Sequence, residues 1–459
     1  MKETRPFSMK DKIGYTLGDL GCCCTEQFRA MYLAIFYTLV LKVNPVHVGI
    51  LMLITKFWDA INDPLIGALV DSHKNKGKGK FIPWIKFFAF PTAVLCILGF
   101  VNVSNFAYGA RIAYMFITYI VYEIMYTCVS VPFGSLSSVM TDDVNQRTDL
   151  SRFRSLGGTI FMTVIVIAGP LFLYKDNQPV PSHFLIMSAI CAVIGLICLM
   201  FTSHWCKERI ITETVVEKKE KLNYFQVIKD ITKNKALLGV MLSSFIGIVG
   251  AGMVNGLNTY LFRDYFGNVA IMAVSGMLSV IWSLIAFVGT KFVAKKFGKK
   301  EWIMYSATFS VVVYAILFFF PLENPMLFII INGICYLGVS GFQVLVWALV
   351  NDAIDYQELQ TGKRNEGIVY SAYTFFRKLA NAVSGSMSSF ALAIAGFQVN
   401  EAVQNEAFSG HLWKTYTGLY VVGYLLAVLV LKFIYPLTKE KTAEMLQDLA
   451  DKRNAATAE

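Results

Sequence analysis

Charged residues are scarce in this sequence. Asp, Glu, Lys and Arg make up 16% of the 459 residues, whereas hydrophobic residues make up 56% and aromatic residues 14%. The mean hydropathy is +0.54. Soluble domains and disordered chains carry more charge, so this composition excludes both classes and is typical of a polytopic membrane protein.

The sequence also lacks the residue patterns of an enzyme or a metal centre. Its five histidines lie in or near loops, with neither metal-ligand spacing nor a Ser-His pairing. The run Cys22-Cys23-Cys24 has no second cysteine pair at metal-ligand spacing, and the other cysteines lie mostly in apolar stretches. We therefore expect a protein that is not an enzyme, with no catalytic residues, no cofactor and no disulfides.

The beginning of the chain lacks the pattern of a cleaved leader. The segment 1–12 is polar and charged, without a basic, then apolar, then small-residue order, so we expect the first apolar segment to remain as a membrane helix. The formal net charge of +10 comes from basic residues in short loops between apolar runs. That placement follows the positive-inside rule and argues against a nucleic-acid partner.

Apolar runs of roughly 20 residues or more recur along the chain, and each is long enough to cross a bilayer core of ~30 Å. They predict an all-α membrane protein with twelve transmembrane helices. The predicted spans lie near 13–41, 47–70, 82–102, 109–138, 154–174, 183–203, 235–262, 269–293, 302–321, 326–351, 366–397 and 413–436.

Loop charges and internal similarity indicate how these spans are arranged. With both termini in the cytoplasm, the inner loops hold twelve Lys and Arg and the outer loops four, as expected in a cell membrane. A basic, Gly-containing loop follows both the second and the eighth span, so the halves resemble each other. We predict two pseudo-symmetric six-helix bundles, at 1–204 and 235–436, a cytoplasmic linker at 205–234 and a cytoplasmic tail at 437–459. This is the major facilitator architecture, in which substrate binds between the halves.

The second span carries two carboxylates four residues apart, Asp59 and Asp63. A carboxylate at bilayer depth costs several kcal/mol and normally faces a cavity, a cation or a partner. At this spacing both acids project from one face of a helix, which predicts a site for a small cation or a proton. Asn62 lies between them, and Lys56 is placed to compensate part of the charge on Asp59. The alternative is a packing cluster paired to a neighbouring helix.

The fourth span carries Glu123, Thr127 and Ser130 at i, i+4 and i+7. If the second and fourth spans pack together, the Thr127 hydroxyl would complete an oxygen cage of the kind that hard cations prefer. Threonine in a helix otherwise bonds its own backbone.

The first span places Asp19, Cys23 and Glu26 on one helix face, which would line a central cavity. Alternatively, Glu26 and Arg29 neutralise each other as a structural pair. At the start of the fifth span, Arg152 and Arg154 precede an apolar stretch, and the rigid fork of an arginine can grip sugar hydroxyls or a carboxylate. For Arg152, a positive-inside anchor is the other interpretation.

The tenth and eleventh spans add an aromatic and basic group made of Trp347, Thr374, Arg377 and Lys378. Two adjacent cations inside a membrane span need an anion, supplied by a carboxylate of the first or second span or by the substrate. The nearby aromatic residues suit the apolar face of a sugar ring and would equally serve packing; they are Tyr370, Tyr373, Phe375 and Phe376.

Six stretches in this order carry a family resemblance: GYTLGD at 14–19, WDAINDP at 58–64, VPFGSL at 131–136, DAIDY at 352–356, TGKRNEG at 361–367 and FRK at 376–378. The chain resembles the glycoside–pentoside–hexuronide:cation symporters, a major facilitator group that includes the melibiose permease and the glucuronide carrier. The resemblance implies Na⁺- or H⁺-coupled sugar symport by alternating access. It implies a cation site made of Asp59, Asn62, Asp63 and Thr127, with Na⁺ held by Asp59 and Asp63 if sodium is the coupling ion.

The same resemblance implies that Lys378 and Thr374 lie between the cation and sugar sites, and that Arg154 matches the sugar-site arginine with a one-residue gap. Two acidic sugar-binding positions of the melibiose permease fall at Cys23 and Ser130 here. Losing both acids while keeping cations favours a glucuronide-type substrate, whereas Glu26 or Glu123 restoring an acid would favour a neutral glycoside.

Two other functions share part of this pattern. A lysolipid or other amphiphile:sodium symporter would have the same fold. A non-transporting membrane sensor would usually add a cytosolic output domain, for which the tail at 437–459 is too short. We expect a functional monomer surrounded by lipid.

Overall fold

The computed structural model describes residues 5–72, 79–210, 234–361, 366–401 and 404–458. The helices of these residues follow the apolar runs. They are α1 Met9–Ile35, α2 Pro45–Ser72, α3 Ile82–Leu98, α4 Tyr108–Met140, α5 Val144–Leu173, α6 Pro181–Trp205, α7 Lys235–Tyr260, α8 Ile271–Phe297, α9 Lys299–Phe319, α10 Pro325–Thr361, α11 Glu366–Ile394, α12 Glu406–Phe433 and α13 Lys439–Ala458. Short π-helical segments, Phe36–Val40 and Leu261–Tyr265, extend α1 and α7.

A two-residue hairpin is the strand structure found among the described residues. Strand β1 (Tyr174–Lys175) pairs antiparallel with β2 (Gln178–Pro179). Asp176 and Asn177 form the turn with φ of 50° and 62°, a left-handed conformation that these two residue types tolerate. The secondary structure of the described residues is therefore almost wholly helical, as predicted.

Every predicted span coincides with a helix in the described residues. By length and apolar composition alone, six helices qualify as membrane-crossing: α4, α5, α6, α7 with its π-helical extension, α9 and α12. The apolar parts of α3, α8 and α10 are shorter. Helices α1, α2 and α11 carry most of the ionisable residues that the sequence analysis selects as candidate site residues. These residues account for the polarity of the three helices.

Helix ends differ most from the prediction where polar turns extend an apolar span. Helix α5 begins at Val144, ten residues before the predicted 154, because the Asp143 side chain accepts hydrogen bonds from the backbone N–H groups of Asn145 and Gln146. Helix α10 likewise continues to Thr361, past the predicted end at 351. Hydropathy detects only the apolar part of such helices, so the polar turns were missed.

The chain divides into two units, one of residues 1–217 with 398–402 and the other of residues 218–397 with 403–459. In the first unit α1 packs on α5 and α6, α3 packs on α4 and α6, and α2 packs on α4. In the second unit α7 packs on α11 and α12, and α10 packs on α8 and α9. Most of the predicted linker, 211–233, and the loop lysines at 74, 76, 78 and 363 lie outside the described residues.

The segment after α6 forms hydrogen bonds with the ends of several helices of the first unit. The Glu208 carboxylate accepts hydrogen bonds from the backbone N–H groups at the start of α3, at 2.6 to 2.8 Å. Arg209 donates to both carboxylate oxygens of Asp11 at 3.0 Å. Burial raises the pKa of the neighbouring Cys206 thiol to about 12, so this thiol stays protonated at neutral pH. Polar contacts thus hold the ends of helices whose middles are apolar.

Candidate functional site

The contact between α2 and α4 brings two predicted site residues together. Thr127 is 3% exposed, and its hydroxyl donates to Asp63 Oδ1 at 3.2 Å. The expected packing of the second span against the fourth is therefore present. The Thr127 hydroxyl points to a carboxylate of the other helix.

Asp59 and Asn62 present unsatisfied polar atoms one turn away. Lys56 donates to Asp59 Oδ2 at 3.0 Å, as its position in the sequence predicts. Asp59 Oδ1 and the Asn62 side-chain nitrogen are both buried and have no hydrogen-bond partner among the described residues. A buried carboxylate oxygen without a partner is costly unless a cation or a proton reaches it.

These side chains form a mixed oxygen set rather than a cluster of acids. The described residues contain no group of three or more His, Cys, Asp or Glu side chains placed to hold a metal ion. A hard monovalent cation at α2 would need the Thr127 hydroxyl, and an amide or backbone oxygen, besides the two carboxylates. A proton would need one carboxylate alone.

Arg29 is held in a way that the sequence did not predict. Its side chain is 2% exposed, and its guanidinium carbon lies 3.6 Å from the Tyr122 ring centroid and 5.2 Å from that of Tyr119. None of its three side-chain nitrogens has a hydrogen-bond partner among the described residues, and the same is true of Glu26 Oε2. The alternative interpretation of a Glu26–Arg29 ion pair is therefore not supported by the described residues. Aromatic faces stabilise the buried cation instead.

Arg154 pairs with Asp19 across the contact between α1 and α5. Arg154 Nε donates to Asp19 Oδ1 at 3.0 Å, and the Gly158 N–H donates to Oδ2 at 3.0 Å. Cys23 Sγ lies 4.0 Å from the same oxygen, so Asp19 and Cys23 share a face as predicted. Ser130 is half-buried on α4. Arg154 therefore already has a carboxylate partner within the protein.

A double-mutant cycle measures what the Asp19–Arg154 pair contributes. We expect Asp19→Asn and Arg154→Gln each to lower the melting temperature of the purified protein. The loss should be larger for Arg154→Gln, because it leaves the Asp19 carboxylate, 15% exposed, unpaired, whereas the Arg154 side chain is 44% exposed. The double variant should lose less than the sum, with a coupling free energy of about 0.5–3 kcal/mol. Additive losses would mean that the pair does not stabilise the fold and that Arg154 is available to substrate.

In the second unit, Trp347 contacts aromatic and basic side chains of α11. Its ring stacks on Tyr370 at 5.2 Å and meets Tyr373 edge-on at 5.0 Å. The Arg377 guanidinium lies 5.5 Å from the Trp347 ring centroid, and no carboxylate of the described residues in this unit pairs with it. Arg377 and Trp347 are therefore brought together, as a cation beside an aromatic face.

Thr374 and Lys378 lie near Arg377 on α11 and differ in whether their polar groups already have a partner or face outward. The Thr374 hydroxyl donates to the Tyr370 carbonyl of its own helix at 2.9 Å. Lys378 is exposed. The roles that the sequence assigns to Thr374 and Lys378 at a sugar site stay predictions.

Sequence comparisons match nearly the whole chain. The model of the family described as MFS/sugar transport protein matches residues 14–439. An uncharacterized symporter of Bacillus subtilis is 32% identical over 450 residues, covering 97% of this chain and 96% of that protein. A putative sulfoquinovose importer of Salmonella typhimurium is 28% identical over 461 residues, covering 98% and 94%. A glucuronide carrier protein homolog of Escherichia coli is 24% identical over 452 residues, covering 97% and 96%.

The chain is also similar in fold to solved transporter structures. The crystal structure of a D-xylose–proton symporter is 15% identical in sequence and aligns with a TM-score of 0.62, covering 94% of this chain and 98% of that chain. Identity this low carries information on the fold alone. The predicted all-α major facilitator fold is confirmed.

Proposed function

The chain belongs to the MFS/sugar transport protein family, in its glycoside–pentoside–hexuronide branch, and from this premise we propose that it carries an acidic sugar by cation-coupled symport. Family membership makes it an integral membrane transporter, not an enzyme, and its transport is secondary. The observation that carries the coupling proposal is the buried Oδ1 of Asp59, which has no hydrogen-bond partner in the part of the chain that the structure describes. It lies on the same helix as Asp63, which accepts a hydrogen bond from Thr127.

Coupling follows from the charge on α2. An empty pair of carboxylates is costly to carry through an occluded state in the bilayer, and a bound Na⁺ or H⁺ removes that cost. If sugar and cation both favour the occluded state, each raises the affinity for the other by the same factor. The cation gradient then drives the sugar uphill by alternating access. Asp59, Asn62, Asp63 and Thr127 are the residues we assign to the cation.

A sugar with an acidic group suits the remaining side chains best. Cys23 and Ser130 occupy positions where a neutral galactoside would call for acids, while Arg377 lies beside the Trp347 ring. An aromatic face packs against the apolar side of a pyranose, and a guanidinium binds a carboxylate or sulfonate in a fork. Two relatives are named for glucuronide and sulfoquinovose, which both carry an acidic group. A neutral glycoside is the second candidate, favoured by Glu26 and Glu123.

We further propose the setting in which the transporter works. Large apolar side chains such as Phe87, Phe90 and Ile117 are 62% to 71% exposed on their helices, as expected for lipid contact. The positive-inside count supports our proposal that both termini lie in the cytoplasm, and we propose the plasma membrane as the location of the chain. We propose a functional monomer that has no nucleic-acid partner and needs no cofactor besides the coupling ion.

Proteoliposomes test this function directly. We expect labelled methyl glucuronide to accumulate when an inward Na⁺ or H⁺ gradient is imposed, and to be competed by unlabelled glucuronides. A neutral methyl glycoside and a lysolipid serve as the competing cargoes. Accumulation of the neutral glycoside alone would replace the substrate, competition by lysolipid alone would indicate an amphiphile carrier, and no response to either gradient would refute coupling.

A further inference from the structure

Helix α7 has one exposed side chain within its span, and that side chain is an amide. Between residues 236 and 265, every residue is buried or half-buried except Asn255, which is exposed. None of the large apolar side chains in this range is exposed, whereas α8 presents Ile281 and Leu284 at 51% and 63% exposure. Asn255 lies ten residues before the end of the span at Tyr265, about 15 Å inside it. An amide at this depth needs polar surroundings, so the open side of α7 faces a polar cavity rather than lipid.

Helix α11, which packs on α7, is open in the same way. Between residues 376 and 393, the exposed residues are Lys378, Asn381 and Gly385, and no apolar side chain is among them. Their spacings of three and four residues place them on one face of the helix. A Cβ at Gly385 would meet nothing within 4 Å, so space is open at this point. The middle of α11 therefore also presents a polar and uncrowded surface.

The contact between α7 and α11 places these two surfaces side by side. A Cβ at Gly252 would collide with the Ser384 side chain, and a Cβ at Gly256 would collide with that of Ser388. The helices therefore run parallel and in register here, with their backbones in close approach. Asn255 precedes Gly256 in the sequence, so the exposed amide borders this contact.

Two side chains fix the direction of the Asn255 amide. Tyr416 of α12 is 1% exposed, and its hydroxyl donates to Asn258 Oδ1 at 2.8 Å. Asn258 Nδ2 in turn donates to Asn255 Oδ1 at 3.3 Å. These bonds engage the oxygen of Asn255 and direct its amide N–H groups to the open side of α7. A positioned amide donor beside a polar cavity suits the hydroxyl of a sugar.

The distance from Arg377 indicates which part of the sugar these amides meet. Arg377 lies beside the Trp347 ring, and Asn381 follows it one turn later on α11. By the register of the two helices, Asn255 is level with position 387, ten positions beyond Arg377 and about 15 Å along the axis. This separation exceeds the length of one pyranose ring, and two rings joined by a glycosidic oxygen span it.

We propose that Asn255 and Asn381 bind the hydroxyls of a second sugar ring, so that the substrate is an acidic glycoside of two rings. The proposal rests on the proposed function, in which Arg377 binds the acidic group. Amides suit the second ring because each both donates and accepts hydrogen bonds, as hydroxyls do, and adds no charge to the membrane interior. Asn258 is a positioning residue, since it acts through Asn255.

Calorimetric titration of the purified full-length protein tests the second ring. In a mildly acidic sodium buffer, which supplies both coupling ions, the ligands are methyl glucuronide and an aldobiouronic acid, in which glucuronic acid is linked to a second hexose. We expect the unmodified protein to bind the two-ring acid more tightly. Asn255→Ala and Asn381→Ala should each reduce this preference about 2- to 10-fold, as expected for one lost hydrogen bond. Both amides are exposed, so both variants should keep the melting temperature.

Two further variants check the position of the site. Gly385→Leu fills the open space on α11 and should also lower the preference, because the added side chain competes with the second ring. Asn105→Ala is the matched control, since it makes the same change at an exposed amide in the turn between α3 and α4. That control should keep the preference of the unmodified protein.

The outcomes separate this proposal from the proposed function. Equal affinity of the unmodified protein for both acids, or an unchanged preference in both alanine variants, would overturn the second-ring site. An equal loss for both ligands would also overturn it, because the amides would then serve the acidic ring. If one alanine variant fails to fold, the other decides together with Gly385→Leu. If a neutral two-ring glycoside binds and both acids fail, the acidic substrate is wrong, and weaker binding of that glycoside by Asn255→Ala would still support the amide site.

Discussion

Asp59→Asn should abolish uphill accumulation of sugar in proteoliposomes while exchange of labelled for unlabelled sugar across the membrane persists. The amide keeps the size of the side chain and still accepts from Lys56, which lies 3.0 Å from Asp59 Oδ2. It removes the charge of the buried Oδ1, the oxygen with no partner among the described residues. Because coupling free energies between sites are typically about 1–3 kcal/mol, we expect the accumulation ratio to fall about 5- to 150-fold, toward equilibration.

The control for this variant is the same chemical change at a carboxylate outside the site. Asp149→Asn neutralises an acid whose side chain is 38% exposed and pairs with Lys12. Surface pairs of this kind contribute about 1 kcal/mol or less, so the control should accumulate sugar as the unmodified protein does. Full gradient-driven accumulation by Asp59→Asn would show that the coupling ion binds elsewhere. Loss of exchange together with accumulation would show a sugar-binding defect instead.

The sequence predicted well where a residue's role depends on neighbours along one helix or on strong periodicity. Each apolar run became a helix, and Lys56 bonds Asp59 because three residues separate them on one helix. The contact between Thr127 and Asp63 needed one tertiary assumption, that the second span packs on the fourth. These features depend on hydropathy and helical geometry, which a single sequence contains.

The rest depends on which helix faces a given side chain, and a single sequence does not contain that. Arg29 has a carboxylate three residues away in Glu26, yet it lies over Tyr122 of α4. The available signal was the pair Tyr119 and Tyr122, three residues apart on one face of a helix. The sequence assigned Arg154 to the sugar site, which stays a prediction, and did not reveal its hydrogen bond to Asp19, 135 residues away. Charge balance along one helix therefore does not identify a partner on another helix.

Gly157→Ala should cause a large loss of stability, because no room exists for a side chain where α5 crosses α1. A Cβ at Gly157 would lie 2.5 Å from the Thr16 carbonyl oxygen and 2.7 Å from the Leu20 backbone nitrogen. Both are backbone atoms of α1, so the helices themselves must separate. Overpacking of this kind costs about 1–3 kcal/mol. Separation would also lengthen the hydrogen bond from the Gly158 N–H to Asp19, now 3.0 Å.

Gly134→Ala is the matched control for this change, since a Cβ at Gly134 would meet nothing within 4 Å. Alanine exceeds glycine in helix propensity by about 1 kcal/mol, so this control should keep or raise the melting temperature. Gly157→Ala gains the same propensity, and a lower melting temperature than the control therefore measures the clash alone. Equal melting temperatures would mean that α1 and α5 adjust at no cost. In that case the Asp19–Arg154 pair is held by its own charge attraction rather than by tight helix packing.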